Sequence, residues 1–99
     1  MMTPEAVVKR DIRVILDKYA VMYYMPSAAV YGAHGASDFL CCVQGRYLAI
    51  EAKATKKEKP SRLQSLFMER VQLAGGSAWV INADNIKELP RLLRELIKE

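Results

Sequence analysis

The stretch from Phe39 to Lys53 constrains the fold more than any other part of the chain, because strand, turn and strand follow one another without interruption. Phe39-Leu40-Cys41-Cys42-Val43 is an apolar run, Gln44-Gly45 supplies a tight turn, and Arg46-Tyr47-Leu48-Ala49-Ile50-Glu51-Ala52-Lys53 returns. Side chains alternate faces along a strand, so Glu51 and Lys53 share one face while Ile50 and Ala52 take the other. Gly35-Ala36-Ser37-Asp38 leads into the first strand. The apolar neighbours Leu40, Cys41, Cys42, Val43, Leu48, Ala49 and Ile50 make the hairpin a core element, and charges at the end of a core strand call for a reason.

One such reason is phosphodiester hydrolysis. Hard divalent cations such as Mg²⁺ or Mn²⁺ take oxygen ligands, commonly one or two carboxylates plus water and substrate phosphate, and Asp38 and Glu51 fit that need. A bound ion lowers the pKa of a water and polarises the phosphorus centre, while a nearby lysine such as Lys53 orients the nucleophile or offsets developing charge. Taken alone, the Glu51-x-Lys53 spacing fits a same-face surface ion pair equally well.

The surrounding chain reads as alternating elements. Val8, Ile12, Ile15, Leu16 and Tyr19 recur at helical spacing from Pro4 to Tyr19, with Lys9, Arg10, Arg13 and Lys18 on the surface. Ala20 to Met25 reads as a strand stopped at Pro26, and Ser27 to Ser37 as a loop that holds His34. A second helix is expected over Arg62 to Ala74, with Leu63, Leu66, Phe67, Val71 and Ala74 inward, ended by Gly75-Gly76. Ser77 to Asn82 reads as a buried strand, and Pro90 to Lys98 as a terminal helix whose Leu92, Leu93, Leu96 and Ile97 seek a surface. The order is α-β-β-β-α-β-α, an α/β fold. A helix between strands implies a crossover, hence a mixed β-sheet flanked by helices.

At 99 residues the chain is read as one domain, 1–99, with a single small core and no room for a separate DNA-binding module. A hydrophobic fraction of 52% argues against disorder, and no apolar run has the length of a membrane span. A soluble, cytoplasmic protein without membrane partners is expected. Cys41 and Cys42 are adjacent in a strand, so they face opposite ways and are read as unpaired, buried thiols. The net charge of +4 is unevenly spread, since Lys53, Lys56, Lys57, Lys59 and Arg62 cluster against Glu58 alone. Beside a metal site such a loop serves as a phosphate track; elsewhere it is an ordinary solvated loop. The aromatics form no stacking stripe, so recognition is expected to follow backbone and shape.

Glu5 near a helix start, Gly35-x-x-Asp38, Ile50-Glu51-Ala52-Lys53, Pro60-Ser61-x-x-Gln64 and the helix ending at Gly75-Gly76 together resemble the VRR-NUC family, the virus-type replication-repair nucleases. The resemblance runs from about Glu5 to Asn82 and implies the restriction-endonuclease-like PD-(D/E)XK core. It implies that Asp38 and Glu51 ligate Mg²⁺ or Mn²⁺ with the Ala52 backbone carbonyl, that Lys53 activates or positions water, and that Glu5 and Gln64 complete the site. Glu5 would approach the metal directly or through water. Ser37 stands where the family usually has proline, and His34 precedes the glycine, which bears on loop geometry.

Glu5 and Gln64 also have plain structural readings. Thr3-Pro4-Glu5 is a favourable helix start, and Ser61-x-x-Gln64 matches a capping box. Physical chemistry alone favours capping for both, whereas the resemblance implies the site. The function implied is a metal-dependent, structure-selective DNA endonuclease, with Lys56, Lys57, Lys59 and Arg62 binding DNA. Attack on the phosphorus would be in line, leaving a 5′-phosphate. The resemblance to stand-alone members of similar length suggests a viral or mobile-element enzyme acting as a homodimer on branched DNA such as four-way (Holliday) junctions, in a DNA-repair role. The alternatives are a sequence-specific restriction-type endonuclease and a non-catalytic nucleic-acid-binding subunit.

Overall fold

Thr3 opens the first helix as its side chain allows: the hydroxyl accepts the Ala6 N–H at 3.1 Å, Pro4 takes the first helical position, and α1 runs Pro4–Lys18. The computed structural model describes residues 1–27 and 35–98. His34, and most of the loop expected between Ser27 and Ser37, lie outside them. After α1 come β1 (Met22–Tyr24), β2 (Phe39–Val43), β3 (Arg46–Ala52), α2 (Arg62–Leu73), β4 (Ser77–Ile81) and α3 (Leu89–Lys98), the last preceded by a short 3-10 turn over Ile86–Glu88. The first strand is shorter than its apolar stretch suggests. Ala20, with φ 55°, and Val21 are used to leave the helix, where the Val21 N–H donates to Leu16 O at 3.0 Å.

The sheet has the order β1-β2-β3-β4, with the first two pairings antiparallel and β3-β4 parallel. It is therefore mixed, and α2 is the crossover between its parallel strands. The β2-β3 turn is the two-residue kind: Val43 pairs with Arg46 while Gln44 (φ 49°) and Gly45 (φ 84°) both adopt left-handed backbone. Two successive positive φ values define the turn whose twist matches a hairpin, and glycine carries the second without strain.

Phe39, Cys41 and Val43 of β2 and Leu48, Ile50 and Ala52 of β3 form one buried face, filled by Val8, Ile12 and Leu16 of α1 and Leu89 and Leu93 of α3. Leu96 and Ile97 pack against this core, so the apolar side of the terminal helix is satisfied within the chain. The opposite sheet face carries Tyr47, Ala49 and Glu51, and α2 lies over it at β3 and β4. Both cysteines were expected to be buried. Cys41 is, and burial pushes its thiol up to about 12, but Cys42 on the other face is exposed, because β1 and β2 have no helix over that side.

The inward side of α2 also differs from its apolar pattern. Leu63, Leu66 and Ala74 are exposed, while Met68 and Val71 are buried and Gln64 turns toward the sheet. The helix is rotated so that a polar residue of its first turn faces the charged end of β3.

Candidate active site

The hairpin register brings the two carboxylates together. Phe39 pairs with Ile50, so one further step sets Asp38 opposite Glu51 on the α2 side of the sheet. Asp38 Oδ2 accepts the Ala52 N–H at 2.8 Å, which fixes its carboxylate where β2 begins. Glu51 is almost fully buried. Its Oε2 accepts from Gln64 Nε2 at 2.8 Å and lies 3.7 Å from Lys53 Nζ, whereas its Oε1 is buried without a partner. Lys53 follows the end of β3, and its own N–H donates to Ile81 O at 3.0 Å, extending the pairing with β4.

This environment is hard on a negative charge. Burial first, then the charge of the adjacent Asp38, push the Glu51 carboxyl up to about 8, with a smaller push from Glu5 and an opposing pull from Lys53. A buried acid at that value beside a second carboxylate is a place short of positive charge. Structural ion-pair networks seldom leave one oxygen of such a group unpartnered.

Gln64 reconciles the two readings its position allowed. Its Oε1 accepts the Ser61 N–H at 2.8 Å and its N–H donates to Ser61 Oγ at 3.2 Å, completing the capping box, while its Nε2 is left to hold Glu51. One side chain both starts α2 and orients the buried carboxylate. Gly35 sets the distance between these parts. At φ +82° it lies so close to α2 that an added Cβ would fall 2.7 Å from Leu63 O.

Glu5 joins the group at one remove. Its Oε2 lies 3.4 Å from Lys9 Nζ, one helical turn further along α1, and the same ammonium lies 3.4 Å from Asp38 Oδ1. Burial disfavours the Lys9 charge, but Asp38 and Glu5 outweigh it and the ammonium is held above its ordinary value. Lys9 is the residue that sequence reasoning left on the solvated face of α1. The Glu5/Lys9 spacing was visible; the approach to Asp38 depends on how α1 meets the start of β2, which no local pattern encodes.

Lys56, Lys57, Lys59 and Arg62 are exposed and form no ion pair among the described residues. Their loop is nevertheless ordered by side chains. The Lys56 N–H donates to Asp84 Oδ2 at 3.0 Å, and Glu58 Oε1 accepts the Ala54 N–H at 3.3 Å. The one acid in the basic run thus caps the backbone instead of neutralising a lysine.

Among the described residues, no group of three or more His, Cys, Asp or Glu side chains could hold a metal. The donor set is narrower: Asp38, Glu51 and a strand-end carbonyl. That set suits a hard ion that retains much of its water, and the partnerless, buried Oε1 of Glu51 is the atom such an ion would satisfy. No family model, curated protein or solved structure matches the chain.

Proposed function

We propose that the chain is a metal-dependent, structure-selective DNA endonuclease of the VRR-NUC type, built on a PD-(D/E)XK core and cutting branched DNA such as four-way junctions. The observation that carries the proposal is the buried Glu51 carboxyl, one oxygen anchored and one unpartnered, beside Asp38 and Lys53 at the end of a core strand.

Asp38, Glu51 and the Ala52 carbonyl would hold Mg²⁺ or Mn²⁺. When bound, that ion supplies Lewis acidity at the phosphate and a lowered pKa for water. The protein's own residues do the rest. Gln64 fixes Glu51 Oε2 and so leaves Oε1 as the free donor, and the Ala52 N–H anchors Asp38 by occupying Oδ2, which leaves Oδ1 facing Lys9. Lys53, largely shielded from solvent, orients the attacking water and offsets charge that grows on the phosphate as the bond to the leaving 3′ oxygen breaks. The loop lysines and Arg62 grip the DNA backbone without reading bases.

Paired incisions across a junction need two active sites, hence two copies of this chain. Met22 and Tyr24 on β1, 79% and 63% exposed, supply apolar surface for self-association. Among the described residues no helix is long and apolar enough to cross a membrane. The proposed place of action is the cytoplasm.

The experiment is incubation of purified protein with labelled linear, flap and four-way-junction DNA, with and without Mg²⁺ or Mn²⁺. Metal-dependent cutting of the junction above the linear duplex is expected. Cutting of linear DNA at one sequence would favour a restriction-type enzyme, and binding without cutting a non-catalytic subunit.

A further inference from the structure

The two carboxylates of the site share one design. Each has an oxygen tied down, Asp38 Oδ2 by the Ala52 N–H at 2.8 Å and Glu51 Oε2 by Gln64 at 2.8 Å, and each has an oxygen left over. The leftover oxygens differ. Glu51 Oε1 is buried with no partner, whereas Asp38 Oδ1 is covered by the Lys9 ammonium at 3.4 Å. That ammonium divides itself between Asp38 Oδ1 and Glu5 Oε2, at the same 3.4 Å from both.

Charge-assisted N–H···O contacts close to about 2.7–2.9 Å when they are well formed, so both Lys9 contacts are loose. The side chain is also one-third exposed, and its stem is long and flexible. A loose, partly solvated ion pair on a flexible stem is readily exchanged. Glu5, one turn back on the same helix, already provides the second place for the ammonium to go.

We infer that Lys9 is a tethered counter-cation: its ammonium covers Asp38 Oδ1, competes with a divalent ion for that oxygen, and withdraws to Glu5 when the ion binds. This rests on the proposed metal site. It gives Glu5 a role that needs no direct ligation, because Glu5 is the acceptor that receives the displaced ammonium. It also makes Lys9 a residue that tunes metal affinity from outside the ligand set, keeping the site from tight loading when the ion is scarce.

Isothermal titration of Mn²⁺ into wild-type, Lys9→Met and Lys9→Arg proteins tests this in the absence of DNA, with circular dichroism confirming the fold of each. Lys9→Met should bind Mn²⁺ about tenfold more tightly, a difference of about 1.4 kcal/mol. Lys9→Arg should stay near wild type, and the gain from Lys9→Met should vanish in an Asp38→Asn background. A second reading uses the wild-type chain alone. Acetylation of Lys9, followed by mass spectrometry, should speed up on adding Mn²⁺, because an ammonium no longer held against Asp38 is easier to reach. Equal Mn²⁺ affinity in wild type and Lys9→Met, with unchanged acetylation, would overturn the role of Lys9 while leaving the metal site standing. No Mn²⁺ binding by any of the proteins would remove the metal site itself, and this inference with it.

Discussion

Glu51 combines a structural cost with a proposed chemical use, and the two can be separated by substitution. Asp38→Asn and Glu51→Gln each remove an anionic ligand at nearly constant size, so the fold and much DNA binding should persist while cleavage is lost; wild-type cutting rates at saturating Mg²⁺ in either variant would show the ligands to be misassigned. The metal-free protein should also report the Glu51 proton. Below its ordinary value of 4.5 the group is protonated folded or unfolded; from there to about 8 the unfolded chain ionises while the folded one keeps the proton, so stability falls as pH rises through that window. Urea denaturation in EDTA across that range should show the decline, and Glu51→Gln should flatten it and be the more stable protein at its upper end. Lys53 belongs to the same cluster, and the proposed mechanism gives it a different step. Lys53→Ala should slow single-turnover cleavage by about 10²-fold or more with a smaller change in metal affinity, and an unchanged rate would reduce Lys53 to an ion-pair partner of Glu51.

Elements decide whether those residues meet, and here Gly35 carries the most weight for its size. It needs left-handed backbone and has no room for a side chain against Leu63 O, so Gly35→Ala should cost on the order of 1–3 kcal/mol and displace both Asp38 and the first turn of α2. Thermal unfolding would read the first effect and cleavage rate the second; a variant with unchanged rate would mean that the loop before Asp38 and Gln64 are independent. The hairpin was fully legible in the sequence, because an apolar run, a Gln44-Gly45 turn and an alternating return admit one pairing, and that pairing alone sets Asp38 opposite Glu51. The helix limits came from equally local signals, Thr3-Pro4 and Ser61-x-x-Gln64. What could not be read was rotation. Leu63 and Leu66 made an apolar stripe, yet α2 turns Gln64, Met68 and Val71 inward, since the helix covers only the β3-β4 half of its sheet face. Lys9 escaped for the same reason: its partner Asp38 lies on another element, and the docking of helix on sheet is a tertiary outcome.

At the scale of the whole molecule, one end of the sheet gathers the acidic cluster, and the loop leaving that end carries a dense group of positive charges without ion pairs among the described residues. β3 delivers Glu51 and Lys53, and the chain passes directly into Lys56, Lys57 and Lys59, exposed and without ion pairs among the described residues, before Arg62 begins α2. A phosphate backbone entering the site would cross these lysines first, and because Glu58 is occupied with the Ala54 N–H it does not cancel them. Replacing Lys56, Lys57 and Lys59 with alanine should therefore weaken binding to every DNA sequence alike. The dependence of log affinity on log salt should flatten by about 0.9 for each duplex phosphate that is no longer neutralised. The Asp84 carboxylate meets the Lys56 backbone N–H, not its ammonium, so the loop should keep its shape in the triple variant. The substrate concentration needed for half-maximal rate should then rise more than the bound-state chemical step slows, because Asp38 and Glu51, the proposed metal ligands, stay in place. Fluorescence anisotropy over a salt series, paired with single-turnover cleavage, measures both. An unchanged salt slope would move the proposed DNA track elsewhere, to Lys9, Arg10 and Arg13 of α1.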